Sequence, residues 1–178
     1  RLATVIPVTL AIIVLLLYLN FRNLTEVLII MGTLPLALVG GLWLLYLLDY
    51  NLSVAVGVGF IALSGVAVEI GVVMLVYLNH ALKQHEETAL RSGAGISVEE
   101  VRSAVIDGAL LRVRPIMMTV ASIIAGLMPI MLGSGTGSEV MRRIAAPMVG
   151  GMVSATVLTL VVIPAVFLLW KQNQVGRS

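Results

Sequence analysis

Residues 52–78, LSVAVGVGFIALSGVAVEIGVVMLVYL, decide how this chain folds. About 20 apolar residues carry an α-helix across the hydrocarbon core of a bilayer, and this run exceeds that length. Its one charge is Glu69, well inside the run. A carboxylate at such depth costs about 2.5–3.5 kcal/mol on insertion scales. Chains retain one where it faces a bundle interior, a partner charge or a proton path, so Glu69 is the leading candidate for function. The competing explanation is a neutral Glu hydrogen-bonded to a neighbouring helix. On a helix Ala62, Gly65 and Glu69 share a face, with Ser64 on another. Small residues beside the carboxylate leave room for a second helix to approach.

Outward from this stretch the chain is of one kind. It has 178 residues, 60% hydrophobic and 11% charged, with a mean hydropathy of +1.09; soluble domains carry about 25% charged residues. Five apolar segments predict transmembrane helices: 2–19, 27–48, 52–78, 116–132 and 144–170. The predicted fold class is all-α: a polytopic membrane helix bundle with five transmembrane helices plus a short cytoplasmic amphipathic helix. Loops and tail on one side hold Arg22, Lys83, Arg91, Arg102, Arg112, Arg114, Lys171 and Arg177; the other side holds Arg1, Arg142 and Arg143. Basic residues concentrate on the cytoplasmic side, so Arg1 is expected outside and Ser178 inside. The net charge of +2 reports orientation and implies no nucleic-acid partner. The start at Arg1, directly before an apolar run, suggests a piece of a longer protein.

The polar stretch 79–115 is expected to lie in the cytoplasm. Residues 83–95 look like an exposed loop, and Ser97 with Glu100 forms a capping-box pattern. Val98, Val101, Val105, Ala109 and Val113 then repeat at helical spacing, which predicts a short helix on the membrane face. Pro115 is expected to mark the turn into the fourth span. Gly150, Gly151, Ser154 and Ala155 make overlapping small-xxx-small pairs in the fifth span, a pattern that lets membrane helices pack closely.

Chemistry-bearing groups are few. The chain has no cysteine and two histidines, His80 and His85, which do not make a metal cluster. No phosphate-binding glycine loop or nucleophile triad is present, so the chain reads as neither an enzyme nor an ATP-driven pump, and no cofactor is implied. Thr119 is a polar group near the start of the fourth span, where Thr often bonds its own backbone. Glu139, Met141, Arg142 and Arg143 cluster at the start of the fifth. An acidic residue suits a helix N-terminus, and a thioether is a soft ligand suited to Cu(I).

Several segments resemble the resistance–nodulation–division (RND) efflux transporters. They are Leu19-Asn-Phe-Arg22, Arg112-Val-Arg-Pro-Ile-Met-Met-Thr119, Gly133-Ser-Gly-Thr-Gly-Ser-Glu139 and Pro147-Met-Val-Gly-Gly-Met152. The resemblance covers essentially the whole chain and corresponds to the last five of twelve transmembrane helices. Ser64-Gly-Val-Ala-Val-Glu69 is similar to the heavy-metal branch, where drug-efflux members carry Lys in place of Glu69. Ser138-Glu-Val-Met-Arg-Arg-Ile-Ala-Ala-Pro147 is closest to the copper and silver exporters.

The resemblance implies an inner-membrane exporter of heavy-metal cations, Cu(I) or Ag(I), working by cation/proton antiport. It also implies a homotrimer joined to a periplasmic adaptor and an outer-membrane channel. Glu69 and Thr119 match relay residues, and Met141 matches a methionine path for the metal. The position after Pro115 departs from the pattern: it is Ile116, where copper and silver exporters often have a relay Lys. Arg112 and Arg114 lie at the cytoplasmic boundary, about nine residues or roughly 14 Å from Glu69. Glu69 is therefore expected to pair with a group on a helix outside this chain, with Thr119 bridging through water. The alternatives are an RND multidrug exporter, or a non-transporting membrane scaffold or protein-export accessory.

Overall fold

The computed structural model describes residues 1–177 and is helical throughout, with no strand among the described residues. Helix α1 is Leu2–Phe21, α2 Leu24–Leu47, α3 Val54–Arg91 and α4 Val98–Leu132; α5 (Ser138–Val157), a π-helical turn (Leu158–Val162) and α6 (Ile163–Val175) form the last rod. Five rods are long and apolar enough to cross a membrane, the last running unbroken over Ser138–Val175. The expected all-α bundle of five spans is thus what the chain forms.

Three rods are much longer than a bilayer is thick. At 1.5 Å per residue, the 38 residues of α3 extend about 57 Å, against a hydrocarbon core of about 30 Å. Residues 83–91, expected in a loop, are therefore a helical extension of the third span. The stretch from Asn79 to Arg91 holds neither Gly nor Pro and is rich in Ala, Leu, Lys, Gln and Glu, all strong helix formers. Hydropathy marks where a helix leaves the membrane, not where it ends. Here it ends at Ser92 and Gly93, the latter in the left-handed region with φ 74°.

The amphipathic segment likewise differs from expectation. It is helical and starts at the capping box: Ser97 N–H donates to Glu100 Oε2 at 2.7 Å, and Glu100 N–H donates to Ser97 Oγ at 3.2 Å. It is not a separate helix on the membrane face, however, because α4 continues through Pro115 into the fourth span. Proline removes one backbone donor and usually kinks a helix. Packing on both sides of Pro115 holds this rod together, with Val101, Val105 and Gly108 buried before it and Ile116 and Val120 after it. Gly108 allows α4 close to α3; a Cβ there would lie 3.1 Å from Ala81 Cβ and 3.2 Å from Tyr77 O. His85 and Asp107 join the two extensions at 3.1 Å.

A tight seam joins α2 and α5. A Cβ on Gly150 would stand 2.6 Å from Gly40 O and 2.6 Å from Leu44 Cβ. Ser154 Oγ crosses the same seam and donates to Ala37 O at 2.7 Å. Gly151 faces the Leu63 side chain of α3. Ile30, Leu63, Met74, Leu75, Leu78, Ile116, Met152 and Phe167 fill the adjoining core. By contrast α1 fully buries only Leu17; Ile13, Val14 and Phe21 pack partly against the core, and most of its other apolar residues face outward.

Candidate functional site

Glu69 lies midway along α3 on a face that the described chain leaves uncovered. Ala62, Gly65 and Glu69 are all exposed, and a Cβ on Gly65 would meet nothing within 4 Å. Among the described residues no hydrogen bond or ion pair reaches Glu69; the ion pairs are His85–Asp107 and Arg143–Glu139. Ser64, on another face, donates to Phe60 O at 2.9 Å. The α3 surface around Glu69 therefore has a carboxylate, small neighbours and an open flank.

Thr119 is exposed on α4 and its Oγ1 donates to Pro115 O at 3.0 Å. Ser122, one turn further, does the same to Met118 O at 2.8 Å. No hydrogen bond joins Thr119 to Glu69 within the described residues. Ile116 points the other way, into the core, at 1% exposure. Arg112 is half-buried with its guanidinium 5.1 Å from the Tyr77 ring centroid, and its Nε is buried without a hydrogen-bond partner. Arg114 is exposed. Neither arginine pairs with Glu69.

At the opposite end of the bundle, the Glu139–Arg143 cluster is a braced helix start. Arg143 donates to Glu139 at 3.0 Å and stands 5.7 Å from the Tyr50 ring centroid. Arg142 Nε donates to Gly133 O at 3.0 Å, tying α5 to the end of α4. Gly137, with φ 84°, makes the turn into α5. These contacts leave Met141 exposed at 52%. No group of three or more His, Cys, Asp or Glu stands together to hold a metal ion among the described residues. Of the small residues expected in helix packing, Gly150 and Gly151 lie in interhelical contacts and Gly65 lies on the open face.

One polar site is not anticipated by hydropathy. Glu26, expected in the loop 20–26, sits in the first turn of α2 and is only 4% exposed. Asn79 of α3 donates its Nδ2 to Glu26 Oε1 at 2.9 Å. Lys171 of α6 attracts Glu26 electrostatically, and its ammonium rests 4.3 Å from the Trp170 ring centroid. The available signal was local: Asn23 caps α2 by accepting from Thr25 N–H at 3.0 Å, which puts Glu26 at a helix N-terminus, where negative charge is favoured. Its burial against α3 and α6 is tertiary.

Five spanning rods, one carrying a lone carboxylate deep in its apolar length, define a multi-pass helical membrane protein. The chain belongs to the AcrB/AcrD/AcrF family, whose profile matches residues 1–171, and within it to the heavy-metal RND efflux branch. It is 54% identical over 171 residues to the cation efflux system protein CusA of Escherichia coli (strain K12), covering 96% of this chain and 16% of that protein. It is 38% identical over 167 residues to the cobalt-zinc-cadmium resistance protein CzcA of Cupriavidus metallidurans, covering 94% of this chain and 14% of CzcA. A crystal structure of a heavy metal efflux pump superposes with a TM-score of 0.79 at 40% identity, over 95% of this chain and 16% of the pump. The chain thus spans about 14–16% of the length of these relatives, which are transporters rather than enzymes.

Proposed function

We propose that this chain is the C-terminal transmembrane part of a proton-driven inner-membrane exporter of heavy-metal cations, with Cu(I) or Ag(I) as substrate and cation/proton antiport as the mechanism. The observation that carries the proposal is Glu69: an ionisable group inside a spanning helix, beside Gly65, on a flank that no described residue covers. An intramembrane carboxylate of this kind is stable only against a partner, a water path or a covering helix. The 54% identity to CusA favours monovalent copper or silver over the divalent cations named for CzcA.

In this scheme Glu69 takes up and releases the coupling proton. Thr119 relays it through water, its hydroxyl turning away from Pro115 O to do so, and a cation on a helix outside this chain replaces the Lys that Ile116 lacks. Met141, an exposed soft ligand, lies on the metal's route. Gly65 gives the covering helix room to slide, while Gly150 and Gly151 keep the opposite seam closed. The working unit is a homotrimer joined to a periplasmic adaptor and an outer-membrane channel. The ends carrying Arg22, Arg91 and Lys171 lie in the cytoplasm, with Arg1 in the periplasm, as the distribution of basic residues favours.

The test uses the full-length transporter. Glu69→Gln is expected to abolish proton-coupled efflux while expression and trimer formation persist, because Gln costs less to bury than an ionised Glu. Metal resistance at the wild-type level in that variant would make Glu69 structural. Reporter fusions after Gln84 and Gln172 should read cytoplasmic and one after Gly135 periplasmic; a cytoplasmic signal at Gly135 would overturn the orientation.

A further inference from the structure

A cavity of about 430 Å³ opens where α1 ends and α2 begins, lined in part by Glu26, Asn79, Lys83, Glu86 and Lys171. Its charges are opposite and close, yet none of these four ionisable side chains forms an ion pair; the pairs among the described residues lie elsewhere. Lys171 attracts both Glu26 and Glu86, so the opposed charges face one another around a space instead of closing it. Glu26, only 4% exposed, uses Oε1 for Asn79, and its other oxygen has no partner among the described residues. The remaining wall includes the apolar side chains Phe21, Val76 and Leu82, and Val76 is 45% exposed on the α3 flank that runs down into the membrane.

We propose that this cavity binds the phosphoethanolamine headgroup of a membrane phospholipid. The primary ammonium sits against the free oxygen of Glu26, and the phosphate lies between Lys83 and Lys171. The acyl chains descend over Val76 along α3. The volume falls in the range of about 300–1,000 Å³ usual for small-ligand sites. Chemistry separates the competing guests. A metal cation is repelled by the two ammonium groups, and an anionic headgroup by the two carboxylates. The quaternary ammonium of a choline headgroup has no N–H to donate to Glu26. This inference rests on the membrane fold alone and stands whether or not the transporter moves copper.

The experiment is native mass spectrometry of the purified full-length transporter, offered equal amounts of phosphatidylethanolamine, phosphatidylglycerol and phosphatidylcholine. Phosphatidylethanolamine is expected to be retained with a roughly tenfold preference, about what a single hydrogen bond to a charged group supplies. Glu26→Gln, whose amide oxygen still accepts from Asn79, and Lys83→Met, at an exposed position, should each erase the preference. Glu99→Gln, an exposed carboxylate in the first turn of α4 outside the cavity, should leave it intact. Equal retention of the three lipids overturns the proposal, and so does a preference that survives both cavity variants. Displacement of the lipid by millimolar glycerophosphoethanolamine would assign the site to a soluble phosphoamine and overturn the lipid source; resistance to displacement supports the lipid.

Discussion

The α2–α5 seam and the α3 flank around Glu69 use the same kind of residue for opposite ends. At the seam Gly40 and Gly150 bring two backbones together so closely that no Cβ fits between them, and Ser154 bonds across at 2.7 Å. On the flank Gly65 has nothing within 4 Å of where a Cβ would stand, and Glu69 beside it has no ion pair among the described residues. Helices in lipid gain little from the hydrophobic effect, because lipid tails are as apolar as Leu, so close backbone approach is what holds them together. A seam of small residues with every polar group satisfied is a static joint. Small residues beside a carboxylate without a partner among the described residues leave an open flank, which the proposed function assigns to a mobile partner.

The largest expected effect separates the two carboxylates. In the full-length protein Glu69→Gln should reduce proton-coupled efflux to background, whereas Glu26→Gln should leave most of it, because the Asn79 bond survives; efflux from metal-loaded cells distinguishes them. Equal loss in both would mean that the buried cluster at Glu26 belongs to the proton route.

Next comes a contrast between glycines. Gly150→Leu should lower folding stability by at least the 1–3 kcal/mol or so of an overpacked core, seen as loss of monodisperse protein in detergent. Gly65→Leu should leave the protein monodisperse and impair transport. Equal loss of folded protein in both would show that the flank is as static as the seam.

A smaller effect sharpens the flank itself. Thr119→Val should slow initial efflux roughly tenfold, as expected for losing a hydrogen bond to a charged group, while Arg114→Gln stays near wild type. If Arg114→Gln is the more damaging change, the arginine boundary and not Thr119 serves Glu69. The smallest effect lies at the seam: Ser154→Ala removes one interhelical hydrogen bond, about 0.6 kcal/mol in membrane proteins, measurable as a slight shift in thermal unfolding with transport unchanged.

How far the sequence reaches can be judged residue by residue. The five spans are legible because crossing hydrocarbon demands about 20 apolar residues with every backbone group paired inside the helix, a requirement no tertiary contact relaxes. The capping box at Ser97 and Glu100 is legible because its two bonds are local. Glu69 stands out because burying charge is costly wherever the rest of the fold lies. The helical extension to Arg91 and the passage of α4 through Pro115 were not legible from hydropathy, because polar residues outside the membrane continue a helix as readily as apolar ones and because burial in the bundle supports the rod on both sides of the proline. Only the tertiary structure decided that Gly150 is a joint while Gly65 lies open, and that Glu26 is enclosed by α2, α3 and α6. Contacts between residues as far apart in sequence as Glu26 and Asn79 depend on how helices pack, and packing leaves no periodic trace in either segment alone.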